Sequence, residues 1–325
     1  MMYLKVVIGF VVLVIAAEVL VRGAVYLASR LGVSKLVIGM TVVAMGTSAP
    51  ELVVSLDAAK AGASSLAVGN LVGSNIANVL LILGLSCLIT PMLTKASALK
   101  RDGFTLFAGT VVFVALAMQG ELSLIAGSIL IAGFFAFLTM SYWRESHDPE
   151  AASAHVHEVE ELQGQINSLP ISIVAVVLGL GGLMWGADIL VDGGVDIART
   201  FGVSEAVIGL TLFAFGTSLP ELAASGVAAY RGHTDVAVGN IVGSNMFNLL
   251  AVGGIVALVE PLEVIDQIRN FDLWVMLVST MIVLPLLFWG WRINRFGGAI
   301  FFALYLVYVS IQGYGVDKTF ALITG

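Results

Sequence analysis

Two glutamates, Glu51 and Glu221, stand inside long apolar stretches, each closing a nearly identical string: Gly46-Thr47-Ser48-Ala49-Pro50-Glu51 and Gly216-Thr217-Ser218-Leu219-Pro220-Glu221. An ionised carboxylate at such depth costs several kcal/mol unless something compensates for it. A buried base could do so, yet Arg22 is the sole Lys, Arg or His in the neighbouring apolar spans, and one arginine cannot serve two matched acids. A bound cation suits both. Proline donates no backbone bond to the residue four earlier, so Pro50 and Pro220 deprive the carbonyls of Gly46 and Gly216 of their usual partners. Free carbonyls at membrane depth are tolerated where they face a cavity or a ligand. Thr47, Ser48, Thr217 and Ser218 set hydroxyls beside the same breaks.

A second block occurs twice as well, as Gly69-Asn70-Leu71-Val72-Gly73-Ser74-Asn75 and Gly239-Asn240-Ile241-Val242-Gly243-Ser244-Asn245. Ser74 and Asn78 are four apart, as are Ser244 and Asn248, so on a helix each pair points its oxygens at one spot. The paired glycines also suit plain close packing of helices, and the block alone leaves both readings open. Carboxylate, hydroxyl, amide and carbonyl oxygens suit Ca2+ and alkali cations, whereas zinc, copper or iron would ask for imidazole or thiolate. All four histidines, His147, His155, His157 and His233, fall in expected loops, and the lone Cys87 reads as packing. Two carboxylates balance one Ca2+ or two Na+, which makes those ions competitors for one site.

The elements that must hold these groups follow from composition and repetition. Hydrophobic residues make up 59% of the 325 and charged residues 11%, against about 25% charged in a soluble domain. Apolar stretches long enough to cross a bilayer recur along the chain, which reads as a multi-pass membrane protein. A constant offset of 170 residues aligns the two halves without a gap, through Pro91 with Pro261 and Asp102 with Asp272. Ten helices are expected, near 4–29, 34–59, 65–90, 102–118, 121–143, 169–197, 204–230, 234–259, 271–291 and 297–316. Five per half is odd, so the second half enters the membrane from the opposite side. The expected fold is all-α, with ten transmembrane helices in two inverted five-helix repeats, 1–143 and 169–325, joined by an acidic linker over 144–168.

Charge placement sets an orientation. With the N-terminus outside, inner loops hold nine basic residues (Arg30, Lys35, Lys95, Lys100, Arg101, Arg144, Arg231, Arg292, Arg295) and outer segments five (Lys5, Lys60, Arg199, Arg269, Lys318). Both termini are therefore expected outside and the 144–168 linker in the cytoplasm. That linker carries six acidic residues and three of the histidines and reads as a solvated connector. The apolar run from Tyr3 to Val21 has an internal counterpart and is expected to stay as a helix. An intramembrane serine protease would need a base near Ser74 or Ser244, and no histidine lies in a span. A passive channel could use the same oxygens, but broken helices in inverted repeats point to alternating access.

The strings GTSAPE, GTSLPE, GNLVGSN and GNIVGSN resemble the α-repeats of the sodium/calcium exchanger branch of the cation/calcium antiporter superfamily, over about residues 16–91 and 186–261. The resemblance implies ten helices, an outward N-terminus and Ca2+ extrusion driven by Na+ entry, with Na+ and Ca2+ as the bound substrates. It implies no further cofactor, no enzymatic activity and no nucleic-acid partner, and a chain that works in the bilayer as a monomer. It assigns Glu51 and Glu221 as the main ligands and Thr47 and Thr217 as ligands through backbone oxygen. Ser48, Ser74, Ser218, Ser244 and the carbonyls of Ala44 and Ala214 correspond to Na+ ligands. An acid at the position of Asn248 is associated with potassium-dependent members, so the amides Asn78 and Asn248 argue against K+ coupling. Proton-coupled relatives tend to carry an acid where Gly73 and Gly243 stand, which leaves proton coupling as the alternative to sodium. The first and sixth helices, which bear the matched acids Glu18 and Asp188, would slide as a gate; those acids read as structural, with Glu18 and Arg22 spaced to pair.

Overall fold

A computed structural model describes residues 2–31, 33–92, 96–145, 168–201, 214–289, 292–316 and 319. In hydrocarbon a backbone must satisfy its own hydrogen bonds, and these apolar segments do so as helices. In chain order they are α1 (Met2–Leu31), α2 (Lys35–Thr47), α3 (Ala49–Lys60), α4 (Ser64–Ile89), α5 (Ala96–Ala117), α6 (Leu124–Glu145), α7 (Leu169–Thr200), α8 (Ala214–Thr217), α9 (Leu219–Tyr230), α10 (Thr234–Val259), α11 (Leu273–Trp289) and α12 (Arg295–Tyr314). Among the described residues seven helices are long and apolar enough to cross a membrane, or eight when the bent pair α2 and α3 is one span. The chain is an all-α, multi-pass membrane protein.

Several expected spans change in detail. The span over 34–59 is two helices meeting at Ser48 with a bend of 42°. The second Glu string breaks the same way at Ser218, between α8 and α9, while residues 202–213 lie outside the described residues. The span expected to start at 102 starts at Ala96. Of the 144–168 linker, 146–167 lie outside the described residues. Two other spans stay continuous but widen into π-helical turns at Asn78–Leu83 and Phe247–Val252. Turns of this kind gather at functional sites.

Apolar residues all round α4 and α10 make them the centre: 78% of the apolar window of α4 and 89% of that of α10 is buried, against 33% for α1 and α7. One apolar core surrounds α4 and α10, drawing on α5, α6 and α11 with residues such as Phe113, Leu130 and Met276. A second lies where α1 and α7 meet α2 and α9, around Leu20, Ile38, Leu183 and Leu219.

Glycine sets the contact between α1 and α7. A Cβ on Gly9 would lie 2.6 Å from the Leu190 backbone nitrogen, and one on Gly179 would lie 2.7 Å from that of Leu20. Under the repeat, Gly179 is the mate of Gly9 and Leu190 the mate of Leu20, so one contact is made twice. Gly23 against Val176 and Gly193 against Val6 are a second such couple. Numbers rise on one helix as they fall on the other, so α1 and α7 run antiparallel. Lys5 Nζ reaches Asp196 Oδ2 at 2.9 Å at one end of the pair.

The turns fix which ends lie together. Gly62 and Gly232, with φ of 74° and 78°, close the matched turns between α3 and α4 and between α9 and α10. In each, a backbone N–H reaches five residues back, Ala63 to Ala58 at 2.8 Å and His233 to Ala228 at 2.9 Å, which is how a helix ends on a left-handed glycine. A ribbon absent from the sequence reading joins the turn after α5 to the turn after α10: β1 (Glu121–Leu122) lies antiparallel to β2 (Leu262–Glu263). Two residues are too few for strand periodicity to show. At the other end Met92 and Ile293 exchange backbone bonds of 3.0 and 3.1 Å, and Arg295 Nε donates to Leu88 O at 3.1 Å.

Gly179→Ala is expected to lower stability by about 1–3 kcal/mol through overpacking on the Leu20 backbone. Gly181→Ala on the same helix meets open space and is expected to be neutral or slightly stabilising. Thermal unfolding of the purified protein in detergent compares the two.

Candidate ion-binding site

The helix breaks carry both glutamates to the centre. Each sits in the first turn of the second half-helix, Glu51 in α3 and Glu221 in α9, just after a proline that the first turn tolerates. Backbone N–H groups and the positive end of the helix dipole favour a carboxylate there. Both side chains are 1% exposed. The two halves hold each other's acid: Ser48 Oγ donates to Glu221 Oε1 at 2.7 Å, and Thr217 bonds Glu51. The carboxylates are near enough to repel one another.

What surrounds them is a set of buried polar atoms with no protein partner. Glu51 Oε2, Glu221 Oε2, Ser218 Oγ, Ser244 Oγ, Asn75 Oδ1 and Asn78 Oδ1 are all in this state, and so are both side-chain polar atoms of Asn248. A buried polar atom left alone costs about 1–3 kcal/mol, so a crowd of them beside two acids describes a place that a cation completes. Asn78 begins the π-helical turn of α4 and Asn248 lies in that of α10. Among the described residues no group of three or more His, Cys, Asp or Glu could hold a metal. Two of the unpartnered atoms are carboxylate oxygens; the others named are neutral oxygens and the Asn248 amide nitrogen.

The other residues expected from sequence are placed as follows. Ser74, Ser244, Asn78 and Asn248 are buried on α4 and α10 beside the breaks. The carbonyl of Ala44 already accepts from Ser48 N at 3.0 Å and from Thr47 Oγ1 at 3.3 Å. Ala214 opens α8 at the matched position.

The sequence reading missed the amides that brace the site. Asn70 Nδ2 donates to Ser55 Oγ at 2.9 Å and to Glu51 O at 3.3 Å. Asn240 does the same in the other half, to Ser225 Oγ at 3.0 Å and Glu221 O at 3.5 Å, and its Oδ1 accepts from Thr47 Oγ1 at 3.2 Å. These two residues lock each Glu helix onto the helix that follows it. Asn78 Nδ2 crosses between halves to Asn245 Oδ1 at 2.9 Å, and Asn75 turns its amide nitrogen to Leu71 O, which leaves its oxygen free. The signal was present: Asn70, Asn75 and Ser55 each recur 170 residues on.

Comparison with known proteins agrees with this geometry. The chain matches the family described as sodium/calcium exchanger protein over residues 2–143 and 171–314. It is 38% identical over 313 residues to a putative antiporter, CaxA, of Alkalimonas amylolytica, covering 93% of this chain and 96% of that one. It is 32% identical over 347 aligned positions to the sodium/calcium exchanger MaX1 of Methanosarcina acetivorans, covering 96% of this chain and 98% of its relative. The solved structure of the sodium-calcium exchanger NCX_Mj, soaked with 2.5 mM Na+ and 0.1 mM Ca2+, shares the fold with a TM-score of 0.82 at 29% identity, over 95% of this chain and 97% of that one. With both halves matched and the fold shared along nearly the whole length, the chain belongs to the sodium/calcium exchanger protein family.

Proposed function

We propose that this chain is a secondary antiporter that exchanges Na+ for Ca2+ by alternating access, without a requirement for K+. The observation that carries the proposal is the cluster of unpartnered buried oxygens around Glu51 and Glu221. Ca2+ takes six to eight oxygens and accepts mixed carboxylate, amide and carbonyl sets. In this reading Glu51 and Glu221 hold Ca2+ and Na+ in turn, with the backbone oxygens of Thr47 and Thr217. Ser48, Ser74, Ser218 and Ser244, and the carbonyls of Ala44 and Ala214, serve Na+. Asn78 and Asn248 supply neutral oxygens where an acid would add a charge. The relatives named as exchangers and antiporters support transport of cations and Ca2+ over any enzymatic role.

The same reading takes the fold as ten spans in two inverted repeats, 1–143 and 169–325. The reciprocal glycine contacts of α1 and α7 support it. So does the pairing of turns that five spans per half would place on a common face, β1 with β2 and Met92 with Ile293. Both termini then lie outside and the 144–168 linker inside, as the basic residues suggest. One chain carries both halves of the site and is sufficient as a monomer.

Glu51→Gln and Glu221→Gln are each expected to abolish Na+-gradient-driven uptake of radiolabelled Ca2+ in proteoliposomes, with the variants still eluting as folded protein; full exchange in either would remove the site. Adding K+ at fixed Na+ and Ca2+ is expected to leave the rate unchanged, and strict K+ dependence would show that Asn78 and Asn248 were misread. A pH gradient imposed in Na+-free vesicles is expected to drive no Ca2+ uptake; uptake there would transfer the coupling to protons.

A further inference from the structure

Among the described residues, one three-residue ion cluster outside the binding site joins the two halves and has no counterpart at the positions 170 residues away. Glu18, on α1, accepts from Arg22 one turn along the same helix. Its two carboxylate oxygens also accept from Arg231, Oε2 from Nε at 2.8 Å and Oε1 from Nη2 at 2.7 Å. Such a forked guanidinium–carboxylate pair is geometrically specific as well as attractive. Arg231 caps α9 at its turn into α10, so the pair ties α1 to an element 213 residues away. Because Lys5 with Asp196 and the glycine contacts bind α1 to α7, the tie fixes the register of the whole helix pair.

The mate of Glu18 is Asp188 on α7, and the turn after α3, equivalent to the turn that bears Arg231, carries Lys60 one position early. Among the described residues neither Asp188 nor Lys60 makes an ion pair, and both are exposed. The mate of Arg22 is Asp192. One half thus offers an acid between two bases, and the other a base for two acids.

Near the turn that bears Arg231, α2 packs closely on α10. Gly239 and Gly243 are sealed against α2, with a Cβ on them lying 2.4 Å from Leu36 O and 2.3 Å from Met40 O. Gly239, Asn240 and Gly243 are buried, whereas their mates Gly69, Asn70 and Gly73 are half-buried. At the Arg231 end α2 and α10 start side by side, and the second-half equivalent of the start of α2 falls within 202–213, outside the described residues. The turn after α3 lies at the other end, near the strand that follows α10.

We infer that Glu18 with Arg22 and Arg231 is an ionic latch holding α1 and α7 in one of two positions, and that the opposite position is held by Asp188 and Asp192 with Lys60. The inference rests on the alternating-access reading. A chain built of two like halves reaches its second state when each half adopts the arrangement of the other. The contact Glu18 makes with the turn after α9 is then replaced by the contact of Asp188 with the turn after α3. The two latches cannot close together, because each requires its own end of the helix pair to sit against its own turn. Neither set of groups is sealed in an apolar core: the Glu18 and Arg231 side chains are 22% and 45% exposed, and Asp188 and Lys60 are exposed.

The test uses full-length protein in vesicles with Cys87→Ser as background. Two double variants are compared, Glu18→Cys with Arg231→Cys and Asp188→Cys with Lys60→Cys, each treated with a thiol-bridging mercury reagent under opposed Na+ and Ca2+ gradients. Each pair is expected to cross-link, with yields that move in opposite directions as the gradients are reversed, and either bridge is expected to stop Ca2+ exchange until an excess of a competing dithiol strips the mercury and restores it. Glu18→Gln added to the second pair is expected to raise its cross-linking several-fold. The inference is overturned if the Asp188 and Lys60 pair never bridges in a preparation that exchanges Ca2+, or if the bridged Glu18 and Arg231 pair exchanges at full rate. Absence of Ca2+ exchange in the unsubstituted protein would overturn the antiport reading instead.

Discussion

Two carboxylates buried within reach of each other, in a chain with few charges, constrain everything else in this protein. Neither can stay ionised at such depth without a positive partner, and their mutual repulsion makes that need greater when both are charged. The fold meets this in two ways. Broken helices deliver the dipole and free N–H groups of two helix starts to the acids, and cross-half hydroxyls take one oxygen of each. The remaining oxygens, Glu51 Oε2 and Glu221 Oε2, have no protein partner, and in the proposed function an ion takes them.

The bracing is as informative as the ligands. Asn70 and Asn240 each spend an amide nitrogen on the helix that bears the glutamate, and a short glycine turn joins the same two helices at their ends. Each Glu helix is therefore tied at two points to the following central helix. The helix pair α1 and α7 is held less deeply: only a third of the apolar window of either helix is buried, and much of its packing lies in a second apolar core, with Val21 and Val25 reaching the main one.

Much of this was legible from the residues. Glu51 and Glu221 announced themselves because a glutamate is rare in apolar sequence, and the repeat doubled every signal. The helix break was half-visible: proline indicated lost hydrogen bonds, but that the chain restarts at Ser48 with Glu51 in a first turn depends on tertiary packing. Which half holds which acid was not readable, since Ser48 lies three residues from Glu51 in sequence yet bonds Glu221 in space. Asn75 and Asn245 passed unnoticed beside serines of the same motif, because a repeated asparagine on a small-residue helix reads equally as packing. The two-residue ribbon and the reach of Arg231 to Glu18 arise only from long-range assembly and leave no local pattern.

The twice-made contacts of α1 and α7 have a consequence for energy differences. An interface in which Gly9 meets Leu190 as Gly179 meets Leu20 is self-complementary, in the manner of a two-fold homodimer whose subunits have been fused. Under the proposed alternating access, exchanging the roles of the two helices would leave such contacts unaltered, so they would bias neither arrangement. In the alternating-access reading, any preference between arrangements then falls on positions where the halves have diverged in charge, such as Arg231 against Ala61, or Arg22 against Asp192.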